Sequence, residues 1–335
     1  MNIFKKYKKW EREVYRKKPW NIGFIDYDET ALDKPFEISW LDACGYDVNW
    51  FADPFILSVE GDKIEVLVEE MILDRPKRPF TVRGTTTVRN WARISRLEIE
   101  RKDGKFLLRK VVPVIEDETH YSFPAIYRRD GKIFIHPENH ESNASPLFEY
   151  DPATGTAKRA GTLCDAPLTD AVLFDGFGEW LCFATREGDD PVGVPAKGLG
   201  AANGNRLGVY RSTTGEWNGP YEARPSEEIE FPDASARGAG HFLKLKDGRI
   251  VRVAQVCNRR YGEAVVFYEM KRENGKFSFK EIARHYPTSP IWHVSQHTFN
   301  TLGNLAVTDG CGYTHPLKRA LYRAKEKLRG IFRRK

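Results

Sequence analysis

WFADPFILSVEGDKIEVLVEE, residues 50–70, reads as a polar opening, an apolar strand, a tight turn at Gly61 and a second strand. The same order returns in YSFPAIYRRDGKIFIHPE (121–138), TDAVLFDGFGEWLCFAT (169–185), ARGAGHFLKLKDGRIVRVAQ (236–255) and QHTFNTLGNLAVTDG (296–310). Counted from Asp53, Pro124, Asp170, Arg237 and His297, the intervals are 71, 46, 67 and 60 residues. A loose period of this size, with several strands per unit and no long helical pattern between units, predicts a radial array of small antiparallel sheets. The expected fold is all-β, a five-bladed β-propeller. An ordinary β-sandwich with accidental similarity is the alternative.

Turn chemistry supports the repeat. Asp130-Gly131 and Asp247-Gly248 are two-residue hairpin signals, because a type I′ turn needs positive φ at both central positions. Gly61, Gly176 and Gly303 mark the corresponding turns in the other units. Asp103-Gly104, Thr154-Gly155, Thr214-Gly215 and Asn274-Gly275 would supply the outer strands of four of them.

At 335 residues the usual prior is about two domains, but propellers exceed it as one body. We expect that body over 19–314, with PWNIGF (19–24) as the strand that closes the ring. No apolar run approaches the roughly 18 residues a bilayer span needs, and MNIFKKYKKW has no secretory h-region. The expectation is a cytoplasmic protein. Five cysteines without CxxC spacing argue against a zinc or disulfide framework and are expected as small core residues.

The net charge of +6 hides an asymmetry: +6 in residues 1–18 and +8 in 316–335, leaving about −8 for the rest. Both ends also carry apolar residues at helical spacing: Ile3, Tyr7, Trp10 and Val14, then Leu317, Leu321, Ala324, Leu328, Ile331 and Phe332. Segments 1–18 and 315–335 are therefore expected to be basic amphipathic helical tails. They suit an anionic membrane surface, placing the protein peripherally on the inner face of the membrane. Packing of the stripes on the propeller is the alternative. Nucleic acid is not an expected partner, since the acidic body would repel a phosphate backbone.

In a propeller the innermost strand of each unit lines the axis, so its first residues converge on one mouth. That gathers Asp53, Ser122, Asp170, Arg237 and His297. Two carboxylates facing one site are the minimal kit for glycosyl transfer, one as base or stabiliser and one as acid. Strand-end aspartates capping backbone amides are the bland alternative.

These residues resemble the bacterial relatives of the N-terminal domain of plant glucosamine inositolphosphorylceramide transferase, a family of five-bladed propellers similar to furanosidase-type, family 43-like glycoside hydrolases. WFADPF, YSFPAIYRRDGKIFIHPE, TDAVLFDGFGEWLCFAT, ARGAG with AQVCNRRYGEAV (254–265), and HTFNTLG (297–303) carry the resemblance. It implies a sugar site in which Asp53 and Asp170 match two carboxylates of the hydrolases. The hydrolases' catalytic acid is a Glu on the following blade, where this chain reads Ser235-Ala236-Arg237-Gly238. That departure puts simple hydrolysis in doubt.

Arg237 offers a planar fork for a phosphate or carboxylate, and Glu138 is the best substitute acid, with Glu69 and Glu70 weaker. His297, His241, Arg259, Tyr261, Ser122 and Trp50 complete the expected substrate-binding set. No metal is expected and no cofactor is required; the donor would be a nucleotide sugar or sugar phosphate. The Gly/Pro-rich stretch 188–208 is a candidate lid. Three functional readings remain: a glycosyl-transferring enzyme of envelope or capsular polysaccharide assembly, a glycan-binding scaffold for a separate glycosyltransferase, and a glycoside hydrolase with a relocated acid.

Overall fold

A computed structural model describes residues 17–313, except 45, 47, 48, 74, 76, 77, 83, 84 and 187–199, together with residue 320. The expected helical tails and most of the candidate lid lie outside the described residues. No described helix is long and apolar enough to cross a membrane.

Every stretch singled out by the repeat contains two paired antiparallel strands. The first unit is Trp50–Glu60, Lys63–Ile72, Trp91–Lys102 and Lys105–Ile115. The second is Ser122–Arg129, Lys132–Glu138, Ser145–Asp151 and Thr156–Cys164. The third is Leu168–Phe174, Leu181–Arg186, Arg206–Ser212 and Tyr221–Ala223. In the fourth the inner strand is regular only at Leu243–Lys244, followed by Ile250–Val256, Ala264–Glu273 and Lys276–His285. The last unit pairs Phe299–Leu302 with Leu305–Tyr313, and the N-terminal strand Lys17–Asp26 adds to it, closing the ring as expected.

The hydrogen-bonded sheets do not divide cleanly into five. Ser39–Asp42 pairs with the N-terminal strand at Gly23↔Trp40 and, in parallel, with Lys105–Ile115 at Leu41↔Phe106. It thereby joins the closing and first units into one eight-stranded sheet. A separate hairpin, Arg78–Val82 with Thr85–Arg89, stands between the second and third strands of the first unit.

Positive φ at both central residues confirms the two-residue turns at Asp103-Gly104, Asp130-Gly131 and Asn274-Gly275. At Asp247-Gly248 only the glycine is left-handed. In the third unit the left-handed glycine is Gly178 rather than Gly176.

The core explains why a sandwich fails. Apolar wedges fill the gaps between neighbouring units: Phe55, Phe123 and Leu173 in one, Ile22, Val66 and Val307 in another, then Phe183, Val256 and Val266, and finally Val253, Phe267 and Phe299. Sheets so placed are buried on both faces, and all of Leu168–Phe174 is buried. A sandwich would leave one face of each sheet wet and its strands alternating. Cys164, Cys182, Cys257 and Cys311 are buried free thiols as expected; Cys44 is exposed.

The starts of the inner strands touch in sequence around a closed ring. The Phe123 amide donates to Asp53 Oδ2 at 3.2 Å, and the Asp170 amide to Glu138 Oε2 at 3.1 Å. Arg237 Nε donates to Asp170 Oδ2 at 2.6 Å, and the His241 amide to Asn300 Oδ1 at 2.9 Å. Asn300 Nδ2 then donates to Pro54 O at 2.9 Å, returning to the first unit. The ARGAG run is needed for this closure. A Cβ on Gly238 would stand 2.6 Å from Asp170 O, and one on Gly240 2.0 Å from Phe299 O.

Candidate functional site

Three non-glycine residues at the axis adopt left-handed backbone: Asp53 (φ 51°), Phe123 (φ 46°) and Asp170 (φ 45°). They hold equivalent places in three inner strands, so the second unit aligns on Phe123, one residue before Pro124. The ladder register shifts across Asp53, between Ala52 and Phe55, and across Asp170, between Thr169 and Val172. Such backbone costs about 1–3 kcal/mol per residue, and here each strained amide meets a carboxylate: Asp53 N on Asp309 Oδ2 at 3.1 Å, Phe123 N on Asp53, Asp170 N on Glu138. The bulges turn the two aspartate side chains inward, where a regular strand would not hold them.

Two linked charge clusters result. In the first, Arg237 donates to both oxygens of Asp170, to Glu138 Oε2 at 3.5 Å and to Asn203 Oδ1 at 3.1 Å. Gln255 Nε2 donates to Asp170 Oδ2 at 3.1 Å, and His140 Nε2 lies 2.9 Å from Glu138 Oε1. Asp170 is pushed up to about 7, first by burial and then by Glu138, against the pull of Arg237. Glu138 is equally buried, but His140 and Arg237 outweigh the desolvation and hold it well below the usual carboxylate range. One guanidinium between two carboxylates thus leaves Asp170 the easier to protonate.

In the second cluster His297 lies between two carboxylates, Nε2 3.3 Å from Asp53 Oδ1 and Nδ1 2.7 Å from Asp309 Oδ2. Nδ1 is out of line for a hydrogen bond to Asp309, so this contact is an ion pair. Burial opposes the charged ring, yet Asp309 and Asp53 raise it to about 9. Asp53 is itself raised well above the ordinary aspartate value, chiefly by burial, although His297 pulls the other way.

Asp53, His297 and Asp309 place three potential ligand atoms within 4.8 Å of one another. Asp309 already accepts from the amides of Asp53, His297 and Thr298, so a cation there would compete with these three donors and with the proton on His297.

The sequence-predicted residues separate into three groups. Asp53, Asp170, Glu138, Arg237, Tyr261 and His297 come together, with Ser122 paired to Glu138 beside them. His241 is half-buried further along the axis, its ring edge-on to Phe55 and Tyr127 of the first two inner strands at 5.3 and 5.2 Å, and burial lowers it to about 4. Arg259 points outward, its side chain 72% exposed and paired with Glu263. Trp50 begins the inner strand, half-buried, three residues before Asp53. Arg237 directs most of its donors to Asp170, Glu138 and Asn203, which leaves an N–H on Nη1 for the phosphate or carboxylate expected of it. Glu70 is structural, held by Arg93 and Ser95, whereas Glu69 Oε1 meets His120 Nε2 at 3.1 Å.

Asp309, Gln255, Asn203, His140 and Trp20 were not anticipated. The signal for Asp309 and Gln255 was a polar residue inside the largely apolar strands LAVTDG and VRVAQV, a place also taken by Thr308 and Arg252, since a buried polar group requires partners. Trp20 lies on His297 at 4.3 Å between ring centroids, and Tyr261 packs against His297 at 5.0 Å and beneath Arg237 at 5.3 Å. Both aromatics are half-buried and cover the cluster, whose Asp53 and Asp170 are only 5% and 3% exposed. Three cavities, of about 610, 340 and 130 Å³, lie away from the axis, lined in turn by residues such as Tyr150, Phe36 and Arg206.

Fold and site define an all-β propeller with buried carboxylates clustered on its axis. Residues 37–290 match the family model described as glucosamine inositolphosphorylceramide transferase 1, N-terminal, and the chain belongs to that family. It is 25% identical over 225 residues to glucosamine inositolphosphorylceramide transferase 1 of Arabidopsis thaliana, an alignment covering 66% of this chain and 25% of the relative. The chain thus spans about a quarter of the curated relative's length.

Solved structures similar to it include a family 43 β-1,3-galactosidase, at 10% identity and TM-score 0.49 over 74% of this chain and 83% of that one. Another is a family 117 glycoside hydrolase of the marine bacterium Zobellia galactanivorans, at 11% identity and TM-score 0.49 over 90% and 91%. A third is the exo-β-1,3-galactanase of Phanerochaete chrysosporium, at 9% identity and TM-score 0.46 over 74% and 55%.

Proposed function

We propose that the protein is a carbohydrate-active enzyme of cell-envelope or capsular polysaccharide assembly that moves a glycosyl unit to or from a lipid-linked or phosphorylated sugar. The observation that carries this reading is the pair of buried carboxylates on one axial guanidinium, Asp170 at 2.6 Å and Glu138 at 3.5 Å from Arg237. Glu138 is held ionised, while Asp170, sharing the same guanidinium, is raised to about 7. Two groups with pKa values pushed apart are what general acid–base chemistry on a glycosidic oxygen requires.

In this mechanism Asp170 donates its proton to the leaving oxygen. Asp53 opposes the positive charge that develops on the sugar ring, or accepts the proton of the incoming hydroxyl. His297 and Asp309 fix Asp53 in place, and Trp20 and Tyr261 offer aromatic faces to the ring. Glu138, the expected proton donor, becomes the fixed anion that keeps Asp170 protonatable. The proposal includes a nucleotide sugar or sugar phosphate as donor and peripheral association with the inner face of the membrane.

The test is turnover of a panel of nucleotide sugars with lipid-linked or phosphorylated acceptors, comparing wild type with Asp53→Asn and Asp170→Asn. Loss of at least about a hundredfold in either variant, with the fold intact, is the expected result. A second reading, a non-catalytic glycan-binding scaffold, is favoured by the engagement of Arg237 with Asp170, Glu138 and Asn203. It prevails if wild type binds glycans at Trp20 and Tyr261 but turns over none of the panel.

A further inference from the structure

The antiparallel pairing of the first and last described strands sets where the chain ends leave the body. Lys17 is the register partner of Tyr313, and Lys18 that of Gly312. The described body therefore begins and ends at one point, with Lys17 beside Tyr313. That point is on the mouth side of the ring, because Trp20, three residues on, lies over His297. At about 3.3 Å per residue, the exit is some 10 Å from the axial cluster.

The same rim shows apolar side chains. Among the described residues four large hydrophobics are exposed: Val59 (39%), Leu73 (36%), Tyr286 (46%) and Ile291 (42%). Val59 stands by the Gly61 turn at the far end, but the other three are at the mouth. Leu73 follows the strand whose Met71 pairs with Trp50, and its amide donates to Asn49. Tyr286 follows His285, the partner of Val265. The backbone of Ile291 lies against Gly312, at the exit itself. Exposed Arg259 and Arg260 occupy the neighbouring rim.

We infer that this rim sector seats the protein on an anionic bilayer with the axial mouth turned toward the lipid headgroups. The departing chain supplies the charge: residues 316–335 alone carry nine Lys/Arg against one Glu, with apolar residues at helical spacing. Leu73, Tyr286 and Ile291 supply the insertion that positive charge by itself does not. Long-range attraction brings the rim to the surface, and the apolar contacts fix its orientation. Substrates anchored at the bilayer would then meet the mouth without the protein turning over. The inference does not depend on which chemistry the axial residues perform.

The test uses the full chain and flotation with phosphatidylcholine vesicles, with and without phosphatidylglycerol. Binding should require phosphatidylglycerol and weaken as salt is raised. It should fall at least about tenfold on deletion of 316–335 and severalfold in the Leu73→Ser, Tyr286→Ser, Ile291→Ser triple variant, whose sites are exposed and should leave the fold intact. For orientation, a fluorophore is placed at Thr288→Cys or Lys132→Cys in a Cys44→Ser background, and spin-labelled lipid should quench position 288 but not the far turn at 132. Absence of binding to anionic vesicles, quenching at 132 instead of 288, or equal binding to duplex DNA would each overturn the inference.

Discussion

The guanidinium of Arg237 lies 2.6 Å through Nε from Asp170 Oδ2 and 3.5 Å through Nη2 from Glu138 Oε2, so one buried cation serves two buried carboxylates. Removing it leaves Asp170 with only Gln255 and Glu138 with only His140 among their side-chain donors, both carboxylates still desolvated. Arg237→Met should therefore cost about 3–5 kcal/mol at pH 7. The loss should shrink toward pH 4, where the carboxylates can take up protons instead. Urea denaturation at the two pH values measures this, and an equal loss at both would contradict the assigned pairing.

Asp170, raised to about 7, sets the expected pH dependence of activity. As general acid it must be protonated, so kcat/KM should decline as pH rises through about 7. Asp170→Asn should abolish that limb together with the activity, whereas Asp170→Glu should retain a displaced limb. A profile flat between pH 6 and 8 in wild type would exclude Asp170 as the titrating acid.

The strand and turn plan was legible because it is written locally. Alternation, Asp-Gly pairs and a recurring polar opening place Asp130-Gly131 and Asn274-Gly275 at their turns without any tertiary information. The inward aspartates were legible for the same reason, as polar residues at the head of an apolar run. Their partners were not. Asp309 sits on the second strand of its unit and reaches Asp53 across 256 positions of sequence, a relation no local window contains. His241 was read as a polar group for substrate, but its ring packs edge-on to Phe55 and Tyr127, contacts that lie far away in sequence. Arg259 misled because proximity in sequence is not proximity of side chains: Tyr261 packs on Arg237 and His297, while Arg259 pairs with Glu263 at the surface.

His297 gives a stability prediction with a definite sign. Its pKa rises from 6.5 to about 9 in the folded protein because of Asp309 and Asp53, in spite of burial. A raised histidine contributes stability that is complete below pH 6.5 and lost as pH climbs through about 9. The loss should be on the order of 2–3 kcal/mol across that window. His297→Gln should be less stable at pH 6 and should lack this dependence, which denaturation midpoints from pH 6 to 9.5 would reveal.

Asp309 accepts the amides of Asp53, His297 and Thr298 and contacts the His297 ring, so it fixes both the strained backbone and the ring of the second cluster. Asparagine keeps one acceptor oxygen and presents an NH2 where two donors already point. Asp309→Asn should cost about 2–4 kcal/mol and lower the His297 pKa toward 6.5, since its larger source of attraction is gone. An NMR titration of the imidazole separates this from general loosening: an unchanged histidine pKa in a folded variant would remove Asp309 from the cluster. If Asp53 depends on that charged ring for its position, activity in Asp309→Asn should fall mainly in kcat, with KM nearly unchanged, because the aromatic cover of Trp20 and Tyr261 is left in place.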